Sequence, residues 1–204
     1  MGKRRAYDRP VASPLPPLLP IRRALVPGTC SSLPCAAPAM KRGDEVVTVF
    51  APAGRLPDVL TVGTRAVVEA VRSLAPRVVL ARLRGEGLVR LLGAEEAGGV
   101  WRARVAEVGE PGPGAQALVA GVERALHRYL ALRGEAGEEA GPLPRISRDP
   151  LTASHEVASH LRISWPEVQE ILEAGSAADR LCREGAILDR EAELLRRLLG
   201  REGA

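Results

Sequence analysis

Three histidines and three cysteines hold most of this chain's capacity for metal or nucleophilic chemistry, and their spacing works against both. His155 and His160 stand five apart in a stretch with helical period, which turns their side chains about 140° from each other. Two ligands of one metal ion need a shared face, so we read this pair as surface or interface histidines and expect no metal site. His127 follows a helical stripe beside Arg128 and reads as solvated. Cys30, Cys35 and Cys182 form no CxxC pair, and the odd count fits a reducing compartment better than a secreted disulfide framework. No acid or histidine adjoins Cys30 or Cys35 to generate a thiolate. Glu95-Glu96 and Glu138-Glu139 are adjacent carboxylates in turn-like sequence, whereas acid–base work on a substrate needs two carboxylates held across a cleft. The residue types therefore predict neither a catalytic set nor a cofactor site.

Composition narrows the partners. Lysine and arginine total 29 against 25 acids, a formal charge of +4, yet only Lys3 and Lys41 are lysine and the arginines are interleaved with acids throughout. Only five aromatic residues are present (Tyr7, Phe50, Trp101, Tyr129, Trp165), too few for a base-stacking platform. Nucleic-acid binding is accordingly set aside. No window reaches the roughly 18 unbroken apolar residues of a membrane span, and prolines at 10, 14, 16, 17 and 20 interrupt any secretory h-region. A cytoplasmic protein is the expectation.

The elements that position these residues change character midway. Residues 1–14 read as a disordered basic lead. From 15 to 110 short valine-rich runs recur: EVVTVF at 45–50, Val59–Val62, RAVVEAV at 65–71, RVVLARLR at 77–84, Leu88–Leu92 and VWRARVAEV at 100–108. Turn signals separate them at Pro52-Ala53-Gly54, Ala75-Pro76, Gly85-Glu86-Gly87 and Gly98-Gly99. β-Branched residues favour the pleated sheet, and alternation of Trp101, Ala103 and Val105 with arginines puts these three on an inner face. The predicted first half is a twisted, partly closed antiparallel sheet.

After Gly109-Glu110-Pro111-Gly112-Pro113-Gly114 the period becomes helical, with positions 118, 122, 125, 129 and 132 on one face. Residues 134–148 read as a mobile loop and 115–204 as a helical subdomain. Asp149 before Pro150 predicts an N-cap, Ser164-Trp-Pro-Glu167 a capping box, and Ser176 through Asp179 a weaker start after Gly175. Leu181, Gly185, Leu188, Ala192, Leu195 and Leu199 mark a narrow final seam. Packing on the preceding helices or pairing with another chain would each explain it. Trp165 is expected between the two halves.

Several fragments, in order, resemble the N-terminal substrate-recognition domain of Lon-type ATP-dependent proteases, a domain also found alone in small bacterial proteins. They are Leu18-Leu19-Pro20-Ile21-Arg22 with Val26-Pro27-Gly28, Val62-Gly63-Thr64, Glu86-Gly87-Leu88 with Arg90, which is similar to the family's hairpin, and Arg102-Ala103-Arg104-Val105. The stretch from Asp149 through Glu173 is similar to the family's helical subdomain. The resemblance spans about 15–199 and implies α+β architecture, a partly closed sheet followed by helices. It implies a non-catalytic module that binds unfolded or tagged polypeptides, or serves as an adaptor beside a full-length protease. The family's ATPase would need GxxxxGK[ST] and its protease a Ser-Lys dyad, and neither Lys3 nor Lys41 sits in such a setting.

One segment departs from the family. TCSSLPCAAPAMKRGD, residues 29–44, is loop-like and broken by two prolines, so the helix usual there is missing or reduced to a turn. Apolar residues in and beside it, Leu33, Met40 and Phe50, are the expected protein-binding positions, with plugging the end of the sheet as the competing role. A structural oligomerisation unit built on the 181–199 helix, an enzyme of unrecognised type and a decayed relative stand as alternatives.

Overall fold

The computed structural model describes residues 15–35, 40–53, 56, 62–76, 78–109, 111–139 and 141–202. The 1–14 lead, and the 59–62 run apart from Val62, lie outside the described residues. Six strands come first: β1 (Leu18–Ile21), β2 (Cys30–Cys35), β3 (Glu45–Phe50), β4 (Val62–Ala75), β5 (Val78–Ala97) and β6 (Val100–Glu107). Four helices follow: α1 (Ala115–Glu135), α2 (Pro150–His160), α3 (Trp165–Leu172) and α4 (Ala177–Glu202). The strands form one sheet in the order β1-β3-β4-β5-β2, and β6 pairs along the far half of β5. The expected α+β division at the Gly/Pro stretch therefore holds, with every strand pair antiparallel except β1 on β3, which is parallel.

β5 departs from expectation in an informative way. The Gly85-Glu86-Gly87 turn and the hairpin expected at Glu86 are not formed; β5 runs straight through, pairing Arg65 with Gly87 and Ala66 with Gly85 so that Glu86 is the extra residue of a bulge. Gly85 is needed because a Cβ there would lie 2.8 Å from Val26 O and 3.2 Å from Pro27 Cα, both main chain. The bulge bends a 20-residue strand, so its first half carries β2 and its second half β6. The true hairpin turn lies further on at Gly98-Gly99, both at positive φ (62° and 75°), as a two-residue connection requires. β6 then reaches back to the start of the chain, where Ala103 N donates to Pro16 O (3.0 Å) and Arg102 Nη1 to Leu15 O (2.7 Å). That contact nearly closes the sheet.

Trp101, expected inside, is 40% exposed. It stands opposite Glu96 one residue from the Gly98-Gly99 turn, where the hairpin projects past the core; alternation resumes inward at Ala103, fully buried.

The helical half forms as its start signals predict. Asp149 Oδ2 accepts from Thr152 N (2.8 Å) with Pro150 opening α2, and Ser164 and Glu167 exchange both bonds of a capping box at α3. At α4 Ser176 Oγ accepts from Asp179 N (3.2 Å). Leu181, Leu188 and Ala192 of the final seam are buried, Leu181 and Leu188 in a cluster with Val122, Leu126 and Tyr129 of α1. The seam is occupied within the chain. The 134–148 stretch is tied down at its end: Ile146 N donates to Glu123 Oε1 (3.2 Å), Ser147 N to Glu156 Oε2 (2.7 Å), and Pro144 O lies 2.8 Å from His127 Nε2.

A separate cluster joins the halves. Ala24, Val26, Val62 and Leu88 from the sheet side meet Ala158, Val168 and Leu172 from α2 and α3. Gln169 Nε2 adds a hydrogen bond to Val62 O (3.0 Å). No helix among the described residues is long and apolar enough to cross a membrane.

Candidate functional site

The segment read as a loop at 29–44 is in part a strand, and that correction produces the site. Ser31, Leu33 and Cys35 can use their main-chain groups on β5, because β2 stands in register with it (Leu33 with Ala81, Pro34 with Leu80). Pro34 has no N–H to give, so it occupies a position turned away from β5, on the free edge, where a ladder donor is not required. The same holds across the gap. Pro17 O and Ile21 O accept from Val47 N (2.8 Å) and Ala51 N (2.7 Å), which directs the odd residues of β1 at β3 and leaves Pro20 on the opposite edge.

Two sheet edges thus face each other, each with a proline where a donor would close the barrel. Between them lies a groove of about 510 Å³. Leu19, Ile21, Leu33 and Cys35 form its apolar floor, all buried in one cluster. Arg22, Arg23 and Ser32 stand along its rim. The two arms meet at Pro27-Gly28, a turn held by Gly28 at φ 82°, by Thr29 Oγ1 donating to Val26 O (2.7 Å) and by Gly28 N donating to Gly85 O (2.9 Å).

Of the residues singled out from sequence, Leu33 is in the groove floor and only 5% exposed. Met40 is half-buried against the same cluster. Phe50, half-buried at the end of β3, pairs in register with Ile21. Leu33 and Met40 thus share one apolar cluster, and Phe50 is tied to it only through its strand register with Ile21.

A second cavity of about 560 Å³ lies nearer the turn, between Ala24–Val26 and Thr29–Ser31 on one side and α2, the 161–163 connection and α3 on the other. Trp165 sits at its mouth, as expected between the halves, yet 41% exposed. Arg23 Cζ lies 5.9 Å from the Trp165 ring centroid, a cation–π distance that spans the junction of the two cavities.

No acidic residue and no histidine lines either cavity among the described residues. Cys30, Cys35 and Cys182 are free thiols, and burial pushes the Cys35 thiol up from its usual range. Among the described residues no three metal-ligating side chains converge. Sequence reasoning missed one buried polar group altogether. Arg180 and Glu184, 1% and 0% exposed, lie one helical turn apart in α4. Arg180 donates to Ser154 Oγ (3.3 Å) and Ala174 O (3.2 Å), whereas both Glu184 oxygens lack a hydrogen-bond partner among the described residues. Burial drives the Glu184 carboxyl well above the carboxylate range, opposed in part by Arg180. His155 of α2 is pushed down to about 4, first by burial and then by the Arg180 charge. The signal was present: Ala177, Leu181, Glu184, Leu188 and Ala192 fall on one stripe of α4, and only the charge at 184 hid it.

Comparison with known proteins bears on the fold and the family. No curated protein matches the sequence. Among solved structures, the N-terminal domain of a Mycobacterium avium complex Lon protease aligns over 85% of this chain and 97% of its own, at 20% identity and a TM-score of 0.61. A Lon N-terminal domain protein from Xanthomonas campestris aligns over 82% of this chain and 95% of its own, at 17% identity and a TM-score of 0.48. The family model described as the ATP-dependent protease La (LON) substrate-binding domain matches residues 17–190, and the chain belongs to that family.

Proposed function

We propose that this protein is a non-catalytic recognition module that holds unfolded or tagged polypeptides in the groove between β1 and β2, as a substrate receptor or adaptor in ATP-dependent proteolysis and protein quality control. The observation that carries the reading is the unpaired seam. Its edges offer main-chain carbonyls at Pro20 and Pro34 and a free Ser32 main chain above an apolar floor. An extended chain supplies the missing N–H donors together with apolar side chains, the pairing that strand addition to a sheet edge uses. A folded protein has its own donors and apolar groups already engaged, so the groove discriminates for unfolded clients.

Leu33 shapes the floor, Met40 packs on the cluster beneath it and Phe50 continues β3 beside Ile21, so their part is to set the groove's depth. Membership in a family described as substrate-binding supports the same reading. Three free thiols suit a cytoplasmic, reducing location. The test is titration of a permanently unfolded, reduced and alkylated polypeptide with wild type and Ser32→Trp, which fills the groove from its rim. Saturable wild-type binding lost in the variant is the expected outcome; no wild-type binding at high micromolar concentration refutes the proposal.

Oligomerisation through α4 draws on a different observation. Leu194 and Leu198, one turn apart, are 46% and 57% exposed near the end of that helix. A strict monomer in light scattering removes this second reading.

A further inference from the structure

We infer that the groove and the crevice beyond it form one continuous track that selects extended segments in which carboxylates alternate with apolar side chains. The inference rests on the recognition reading above and adds a chemistry to the client. Continuity comes from the chain itself: the groove is walled by 19–23 and 32–35, and the crevice by 24–26 and 29–31, which are the next residues of the same two arms. Eight residues of wall, 19–26, correspond to on the order of 25 Å of extended chain. An occupant leaving the groove at Arg23 meets Trp165 directly, because those two side chains stack across the junction.

The charge along this path has one sign. Arg22 and Arg23 line the groove and Arg162 lines the crevice, and neither cavity is lined by an acidic residue. All three arginines are exposed, and none makes an ion pair among the described residues. Glu69, which lies beside Cys30 at the crevice wall, is already held by Arg82 (3.0 Å) and Arg84 (3.3 Å). Guanidinium groups bind carboxylates in a planar, two-point fashion. A walled apolar track with three guanidinium groups free of ion pairs among the described residues, one of them stacked on Trp165, therefore complements carboxylates set between apolar residues. It disfavours lysine and arginine at the same positions.

The experiment uses three labelled twelve-residue peptides, alternating leucine with aspartate, with serine or with lysine, read by fluorescence anisotropy and by Trp165 emission in a Trp101→Phe background. The proteins are the full chain, the double variant Arg22→Gln/Arg162→Gln, and Arg124→Gln, an exposed arginine on α1 away from the track. Arg23 is left in place so that Trp165 keeps its stacking partner. The aspartate peptide is expected to bind at least tenfold tighter than the serine peptide and to shift Trp165 emission. The double variant is expected to erase that preference, and Arg124→Gln to keep it. Equal binding of the aspartate and serine peptides, or a preference untouched by the double variant, overturns the charge selection while leaving polypeptide recognition standing. Failure of all three peptides to bind at high micromolar concentration overturns both.

Discussion

Glu184 offers the sharpest test of how the helical half is held together. Its side chain is fully buried in α4, neither carboxyl oxygen has a hydrogen-bond partner among the described residues, and burial keeps the proton on well above the ordinary range. In the unfolded chain the same carboxyl releases its proton at about pH 4.3. Above that pH, and up to the raised folded-state value, the folded chain binds more protons than the unfolded one, so stability falls as pH rises. The slope approaches about 1.4 kcal/mol for each pH unit. Glu184→Gln keeps the shape and removes the titration. The variant should therefore gain on wild type progressively as pH rises from 4 towards the folded-state value, whatever constant offset the amide introduces. His155 has the opposite sign: its folded-state value of about 4 lies below the unfolded one, so its contribution is lost as pH falls from about 6.5 through 4. That loss is common to both proteins and cancels in the difference. Urea unfolding of the pair at several pH values between 4 and 8 reads the difference. A flat difference, or a wild type that gains on the variant as pH rises, would refute the reasoning and mean that Glu184 is ionised and paired with Arg180.

The polypeptide titration with Ser32→Trp and the three-peptide series test the groove and its charge preference as set out above. Leu188→Glu should unfold the protein instead of dissociating an oligomer, since Leu188 is fully buried in the cluster that α4 shares with α1; loss of helical circular dichroism with no folded monomer checks it. Ser164→Ala removes the bond that Ser164 Oγ accepts from Glu167 N and the one it donates to Glu167 Oε2, leaves Ser164 N donating to that carboxylate, and should cost about 1 kcal/mol in chemical denaturation, with Trp165 emission shifting because that residue opens the helix.

Much of the architecture was legible because local and tertiary preferences agree. EVVTVF is β3 to the residue, Asp149-Pro150 and Ser164 to Glu167 start helices where their side chains can cap them, and Gly109 to Gly114 separates the sheet from the helices. Errors arose where a residue's local preference was overruled by something distant in sequence. Gly85-Glu86-Gly87 looks like a turn, yet the glycine is there because the Pro27 turn presses against β5 from 58 residues upstream. Residues 30–35 look like a loop because of Pro34, yet an edge strand tolerates proline on its free side. Of the candidate site, the positions Leu33, Met40 and Phe50 were legible as apolar residues around the departure from the family. The place of Leu33 in the groove floor was not, since nothing local reports that β2 would pair with β5. Glu184 was misread for the complementary reason: a charge on a buried stripe breaks the rule by which stripes are recognised.

The same misleading prolines carry the functional argument one step further. A sheet bent by its bulge far enough to bring β6 back to Pro16 has nearly the curvature needed to close, and pairing β1 with β2 would bury the edge groups and finish the barrel. Pro20 and Pro34 each delete one of the donors such closure would use, and they do so on facing edges. Proline at a sheet edge protects against indiscriminate strand pairing; here it also keeps the carbonyls of both edges without internal partners. The seam is therefore kept from closing on itself while retaining acceptors for a chain that brings its own donors. Restoring the N–H at both positions, by Pro20→Val with Pro34→Val, should draw the edges together, raise stability and weaken peptide binding in the same protein. A double variant that gained peptide affinity would show that the prolines merely limit an edge that is already open.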